Sequence, residues 1–110
     1  MPFAPYEETT LSREEVDALA GPVVVEFGAS WCSICAAFKP LAEAAFAPYE
    51  RIQHLRVEDG RGKRLGRSFR VKLWPTFVFM KDGEVVQIAV RPTASEVAAG
   101  LAAITAAQES

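Results

Sequence analysis

Two rhythms of apolar spacing run along this chain, and the switches between them mark out its elements. Val23-Val24-Val25-Glu26-Phe27 is a β-branched run with little polar alternation, which predicts a central strand covered on both faces. Glu26 breaks it, a carboxyl in a place built for hydrocarbon. After the turn Gly28-Ala29-Ser30, the residues Ile34, Phe38, Leu41, Ala45 and Tyr49 recur at steps of three and four, predicting a helix over about 33–49 with that stripe inward. Pro40 lies within it and predicts a kink, because it removes a backbone donor and crowds the preceding turn. Residues 52–57 read as a strand, and 60–69 as a polar, basic loop with a short helix. Pro75-Thr76-Phe77-Val78-Phe79-Met80 reads as a strand apolar on both faces. Asp82-Gly83 then signals a hairpin returning through residues 85–90.

Two S/T-x-x-E patterns supply helix starts. Ser12 with Glu15 opens a short helix reaching residue 20, which Gly21-Pro22 stops. Thr93 with Glu96 opens a last helix with Val97, Leu101 and Ile104 on one face. Strands alternating with helices make parallel pairs, and the final hairpin adds antiparallel ones. The fold class is therefore α/β: a mixed sheet of four to five strands, helices on both faces, in a single domain over residues 1–110.

Composition changes the picture at a few points. Half of the 110 residues are apolar, enough for a core without staples. A net charge of −2 argues against general affinity for nucleic acid, which depends on surplus cations. No apolar run approaches the about 20 residues needed to span a bilayer, and no basic leader with an apolar stretch is visible at MPFAPYEETTL. The expectation is a cytoplasmic protein that binds neither nucleic acid nor membrane. A reducing cytosol disfavours structural disulfides, and a bridge closing only Cys32–Cys35 would add little stability. Packing, a metal half-site and a working dithiol remain as reasons for the pair. The metal reading is the weak one, since a closed zinc site wants four ligands and both cysteines with His54 make three.

The residues WCSIC after VVVEF, LWPT before FVF, and KDGEVV in the hairpin together resemble the thioredoxin family. The likeness runs over residues 23–104 and implies that family's fold. A family first strand would have to come from residues 3–9, where Pro2 and Pro5 oppose it. Departures are also visible: Ser33-Ile34 for the usual Gly-Pro between the cysteines, Glu26 for a buried Asp, Arg91-Pro92 for a glycine, and Ala36-Ala37 where a basic residue usually follows.

Disulfide exchange begins with a thiolate, which unpaired amides at a helix N-terminus favour. On this reading Cys32 is the exposed attacking sulfur, and Cys35, one turn inward, resolves the mixed disulfide. The resemblance implies that Glu26 accepts the Cys35 proton, and burial predicts a raised Glu26 pKa. It also brings His54, the only histidine, beside Glu26 on the neighbouring strand. Pro75 is implied to follow a cis bond and face the dithiol, with Trp31, Trp74 and Arg91 as the rim of a client groove. Trp74 backbone groups would pair with an extended client, and Arg91 would favour the thiolate. Ile34 and Ser33 offer extra donors to Cys32, predicting a less reducing couple than Gly-Pro would give.

Residues 60–72 hold six of the 12 basic side chains and no acid, a solvated face or a steering patch. The function expected is reduction of disulfides in client proteins by a monomer, with a thioredoxin reductase as electron donor and no bound cofactor or metal. The alternatives are an oxidase or isomerase, a glutaredoxin, or a binding module without turnover.

Overall fold

The protein is described over residues 3–106 in a computed structural model, so Pro2 and the outermost residues of the expected domain, 1–2 and 107–110, lie outside it. The elements run α1 Arg13–Asp17, β1 Pro22–Gly28, α2 Ser33–Phe46, β2 Gln53–Glu58, α3 Arg64–Ser68, β3 Thr76–Lys81, β4 Glu84–Val90 and α4 Ala94–Ala106. Both capping boxes form: Ser12 and Glu15 bond reciprocally at α1, Thr93 and Glu96 before α4.

The sheet has the order β2-β1-β3-β4. β1 runs parallel to β2 and antiparallel to β3, which pairs antiparallel with β4. β1 is central because both its faces are apolar apart from the buried Glu26. Val23, Val25 and Phe27 join Val57, Val78 and Met80 under α1 and α3, through Val16, Leu65 and Phe69. Val24 joins Phe77 and Phe79 under α2 and α4, through Ala42, Phe46, Val97, Leu101 and Ile104. Both faces are thus covered, with a mixed sheet between them.

As the proline content of the stretch predicts, residues 3–9 supply no strand: Glu7 alone bridges to Val57, its amide donating to Arg56 O and its carbonyl accepting from Glu58 N. The sheet therefore has four strands. The expected inward stripe holds in part: Phe38, Ala45 and Tyr49 pack against the core beside the more deeply buried Cys35, Ala42 and Phe46, while Ile34 is 44% and Leu41 50% exposed. Finally, α1 ends at Asp17 and α2 at Phe46, short of residues 20 and 49.

Candidate functional site

β1 ends at Gly28, and the turn that follows delivers the cysteines to the start of α2. Cys32 is the N-cap, with extended backbone at φ −85°, ψ 112°. Its amide donates to Ala29 O at 3.1 Å, and its Sγ accepts from the Cys35 amide at 3.2 Å. A side chain that caps a helix satisfies one of the orphan donors there. Here the cap is a sulfur, and an amide aimed at it is accepted more strongly by an anion than by a thiol. Neither the Ile34 amide nor the Ser33 hydroxyl bonds this sulfur; the donor is Cys35.

Cys32 is half-buried, whereas Cys35 is 2% exposed. Burial, then the adjacent Cys32 sulfur, pushes the Cys35 thiol up to about 11, partly offset by the Ala29 amide and the Tyr6 hydroxyl. The two sulfurs therefore sit in opposed environments, one in reach of solvent and one closed off.

Glu26 points to the same sheet face as Val24 and is 2% exposed. In the parallel register Arg56 lies opposite Glu26, and His54 opposite Val24. Arg56 Nε donates to Oε1 at 3.1 Å and Nη2 to Oε2 at 3.0 Å, a two-point clamp. His54 Nε2 lies 2.9 Å from Oε1, and the Tyr6 hydroxyl donates to Oε2 at 2.5 Å. Phe46 stacks on the His54 ring at 4.3 Å. The expected Glu26–His54 pair is present. The expected raised pKa is not: burial pushes it up, but hydrogen bonds from His54 and Arg56, with their charge, hold the carboxyl below its usual range. Buried charge with good partners stays charged.

The rim residues divide. Trp31 is 73% exposed and meets Trp74 edge-on at 5.3 Å. Trp74 is partly core, packed on the face under α3, with Nε1 donating to Asp59 Oδ2 at 2.8 Å. The Trp74–Pro75 bond is cis and Pro75 is buried. Arg91 has φ 46° and its Nε donates to the Trp74 carbonyl at 2.8 Å, while its amide bonds Pro75 O at 2.9 Å. An extended client meeting Trp74 thus finds a carbonyl already engaged, and Arg91 is directed to that carbonyl. Among the described residues no three metal-ligating side chains come together.

Three residues were missed from the sequence: Tyr6, Arg56 and Asp59. Arg56 carried a signal, since it lies two residues from His54 on one strand and so shares its face. Asp59 had a weaker one, because a buried indole N–H needs an acceptor. For Tyr6 the pointer was Gly28, a glycine at a strand end where another group comes close. A Cβ there would lie 2.6 Å from the Tyr6 hydroxyl oxygen.

Comparison with known proteins bears on what this arrangement is for. A thioredoxin family model matches residues 6–103. Human thioredoxin is 33% identical over 81 residues, covering 73% of this chain and 77% of that protein. Thioredoxin Asp f 28 of Aspergillus fumigatus is 31% identical over 68 residues, 62% of this chain. The match spans 63% of that relative, a little under two thirds of its length. Among solved structures, thioredoxin 2 from Pseudomonas aeruginosa in its reduced form is 48% identical, with TM-score 0.83 over 94% of this chain and 97% of that one.

Proposed function

The chain belongs to the thioredoxin family, and from that premise we propose that it is a thiol–disulfide oxidoreductase that reduces disulfides in client proteins through Cys32 and Cys35. The single observation that carries this reading is the capped sulfur: Cys32 Sγ accepts the Cys35 amide at 3.2 Å with the second sulfur buried behind it. Cys32 attacks a client disulfide, forming a mixed disulfide and expelling one client thiolate, which takes a proton. Cys35 then gives up its proton and attacks Cys32 Sγ. The protein disulfide forms, and the second client sulfur leaves reduced. The dithiol supplies both electrons, so the reaction calls for no bound cofactor.

Glu26 is the acceptor of the Cys35 proton in this reading. Arg56 and His54 keep it ionised and ready to accept, though a carboxylate so held passes the proton on to the departing thiolate. Trp31, Trp74, Pro75 and Arg91 form the surface on which a client lies. Its support is the Trp31–Trp74 contact and Arg91, which keeps further guanidinium donors for a client after binding Trp74 O. The reading extends to one cytoplasmic domain, working as a monomer and recharged by a thioredoxin reductase.

Insulin reduction by dithiothreitol tests it. Catalytic amounts of protein should shorten the lag before precipitation, and Cys32→Ser should abolish the effect. A wild-type protein no faster than dithiothreitol alone would overturn the reading.

A further inference from the structure

Six cations lie between residues 60 and 72, and the structure sets that stretch beside the dithiol. At one end the Asp59 amide donates to Gly28 O at 2.7 Å, where β1 gives way to the turn before Cys32. At the other, Lys72 stands two residues before Trp74, whose indole meets Trp31 and donates to Asp59 Oδ2. Between these ends Arg61, Lys63, Arg67, Arg70 and Lys72 line one concavity of about 610 Å³. The turn after α3 shapes it. There Arg70 takes φ 61°, a left-handed conformation that ordinarily falls to glycine or asparagine, and the Val71 amide bonds Gly66 O at 3.0 Å. This turn brings Arg70 and Lys72 to the concavity that Arg61 reaches from the preceding loop.

Little inside the molecule balances this charge. Lys63 pairs with Glu8, but Arg61, Arg67, Arg70 and Lys72 make no ion pair among the described residues, and all four are exposed. Asp59 is taken by the Trp74 indole, and Glu58 accepts the Ser30 amide at 2.9 Å. The core does not call for the cations, since Leu65 and Phe69 supply the packing of this segment. Like charge gathered around one concavity costs the fold stability and raises the local potential for an anion. Resting on the reading of the cysteine pair above, we propose that this concavity is a client-docking surface selecting disulfides flanked by a run of acidic residues. The client's carboxylates meet the four cations while its disulfide meets Cys32, and the Trp31–Trp74 pair links the two contacts. Three of the four are arginines, whose planar guanidinium bonds a carboxylate at two points. They stand exposed around an open surface, so the occupant is an acidic chain segment rather than a small enclosed anion. The whole chain carries a net charge of −2, so the attraction belongs to this surface and orients the client on it.

Two peptides test this, each closed by the same disulfide, one with a glutamate tail and the other with a glutamine tail. Reduced protein is mixed with each in single turnover, and the peptide dithiol formed as Cys32 and Cys35 are oxidised is measured after acid quench. With wild type at about 0.01 M salt, the glutamate peptide should react about tenfold faster than the glutamine peptide. At about 1 M salt the ratio should fall toward one, because the screening length drops from about 30 Å to about 3 Å. The triple variant Arg61→Gln, Arg67→Gln, Lys72→Gln should bring the ratio toward one at low salt. Removing as much charge away from the concavity, with Lys39→Gln, Arg51→Gln and Lys81→Gln, should preserve it. Each ratio is taken within one protein, so it does not depend on how much of a variant folds, and the salt series needs no variant. A wild-type ratio near one at low salt would overturn the proposal. So would a ratio indifferent to salt, one kept by the first triple variant, or one lost equally in both. A wild-type protein that reduces neither peptide would instead refute the reading of the cysteine pair.

Discussion

A carboxylate enclosed by hydrocarbon either finds cationic partners or takes up a proton, and at Glu26 the partners decide the outcome. Arg56 contributes two hydrogen bonds from a side chain itself 5% exposed, so removing it strands a buried charge. Arg56→Met should therefore cost about 3 kcal/mol in urea unfolding, toward the lower end for a broken buried pair because His54 and Tyr6 remain. The surface pair Arg13–Asp17 is the control, with Asp17→Ala, which removes the carboxylate that bonds Arg13, costing about 0.5 kcal/mol. Equal losses would contradict this account. The placement of Glu26 and His54 side by side was legible through the family resemblance, which put His54 on the strand next to Glu26. The direction of the Glu26 shift was not, because burial was weighed without Arg56, whose partner follows only from the parallel register.

At the scale of elements, the cysteines dictate more than chemistry. With Cys32 as the cap, the phase of α2 is set, and the deepest positions become Cys35, Ala42 and Phe46, with Phe38 and Ala45 packed beside them. Hydrophobicity alone misleads here. Ile34 and Leu41 carry the stronger apolar signal, yet both stand about half exposed. Leu41→Ala should accordingly cost under about 1 kcal/mol, while Phe46→Ala should cost about 3 kcal/mol through lost core packing. Urea midpoints that reversed this order would show the helix turned to the stripe of Ile34 and Leu41. Strands and hairpin were easier to read, since continuous β-branched and aromatic runs and Asp82-Gly83 specify them locally. The stretch around Tyr6 was not readable as an element, because its role comes from one bridge at Glu7 and a contact over Gly28.

For the whole molecule, the buried network makes stability depend on pH. The folded-state pKa of Glu26 lies below its ordinary 4.5, so its contribution is complete above the unfolded value. That contribution is lost as pH falls through the folded value. Wild-type urea midpoints should thus decline below about pH 4.5 more steeply than those of Glu26→Gln, which starts less stable at neutral pH. Parallel curves would mean that Glu26 titrates alike folded and unfolded. The most direct test of the central claim, that one fold sets two sulfurs in opposed environments, is alkylation of the reduced protein across pH with each cysteine followed separately. Cys32 alone should be labelled near neutral pH, with Cys35 joining only as pH nears about 11. Labelling of both sulfurs together, or of Cys35 first, would contradict the account.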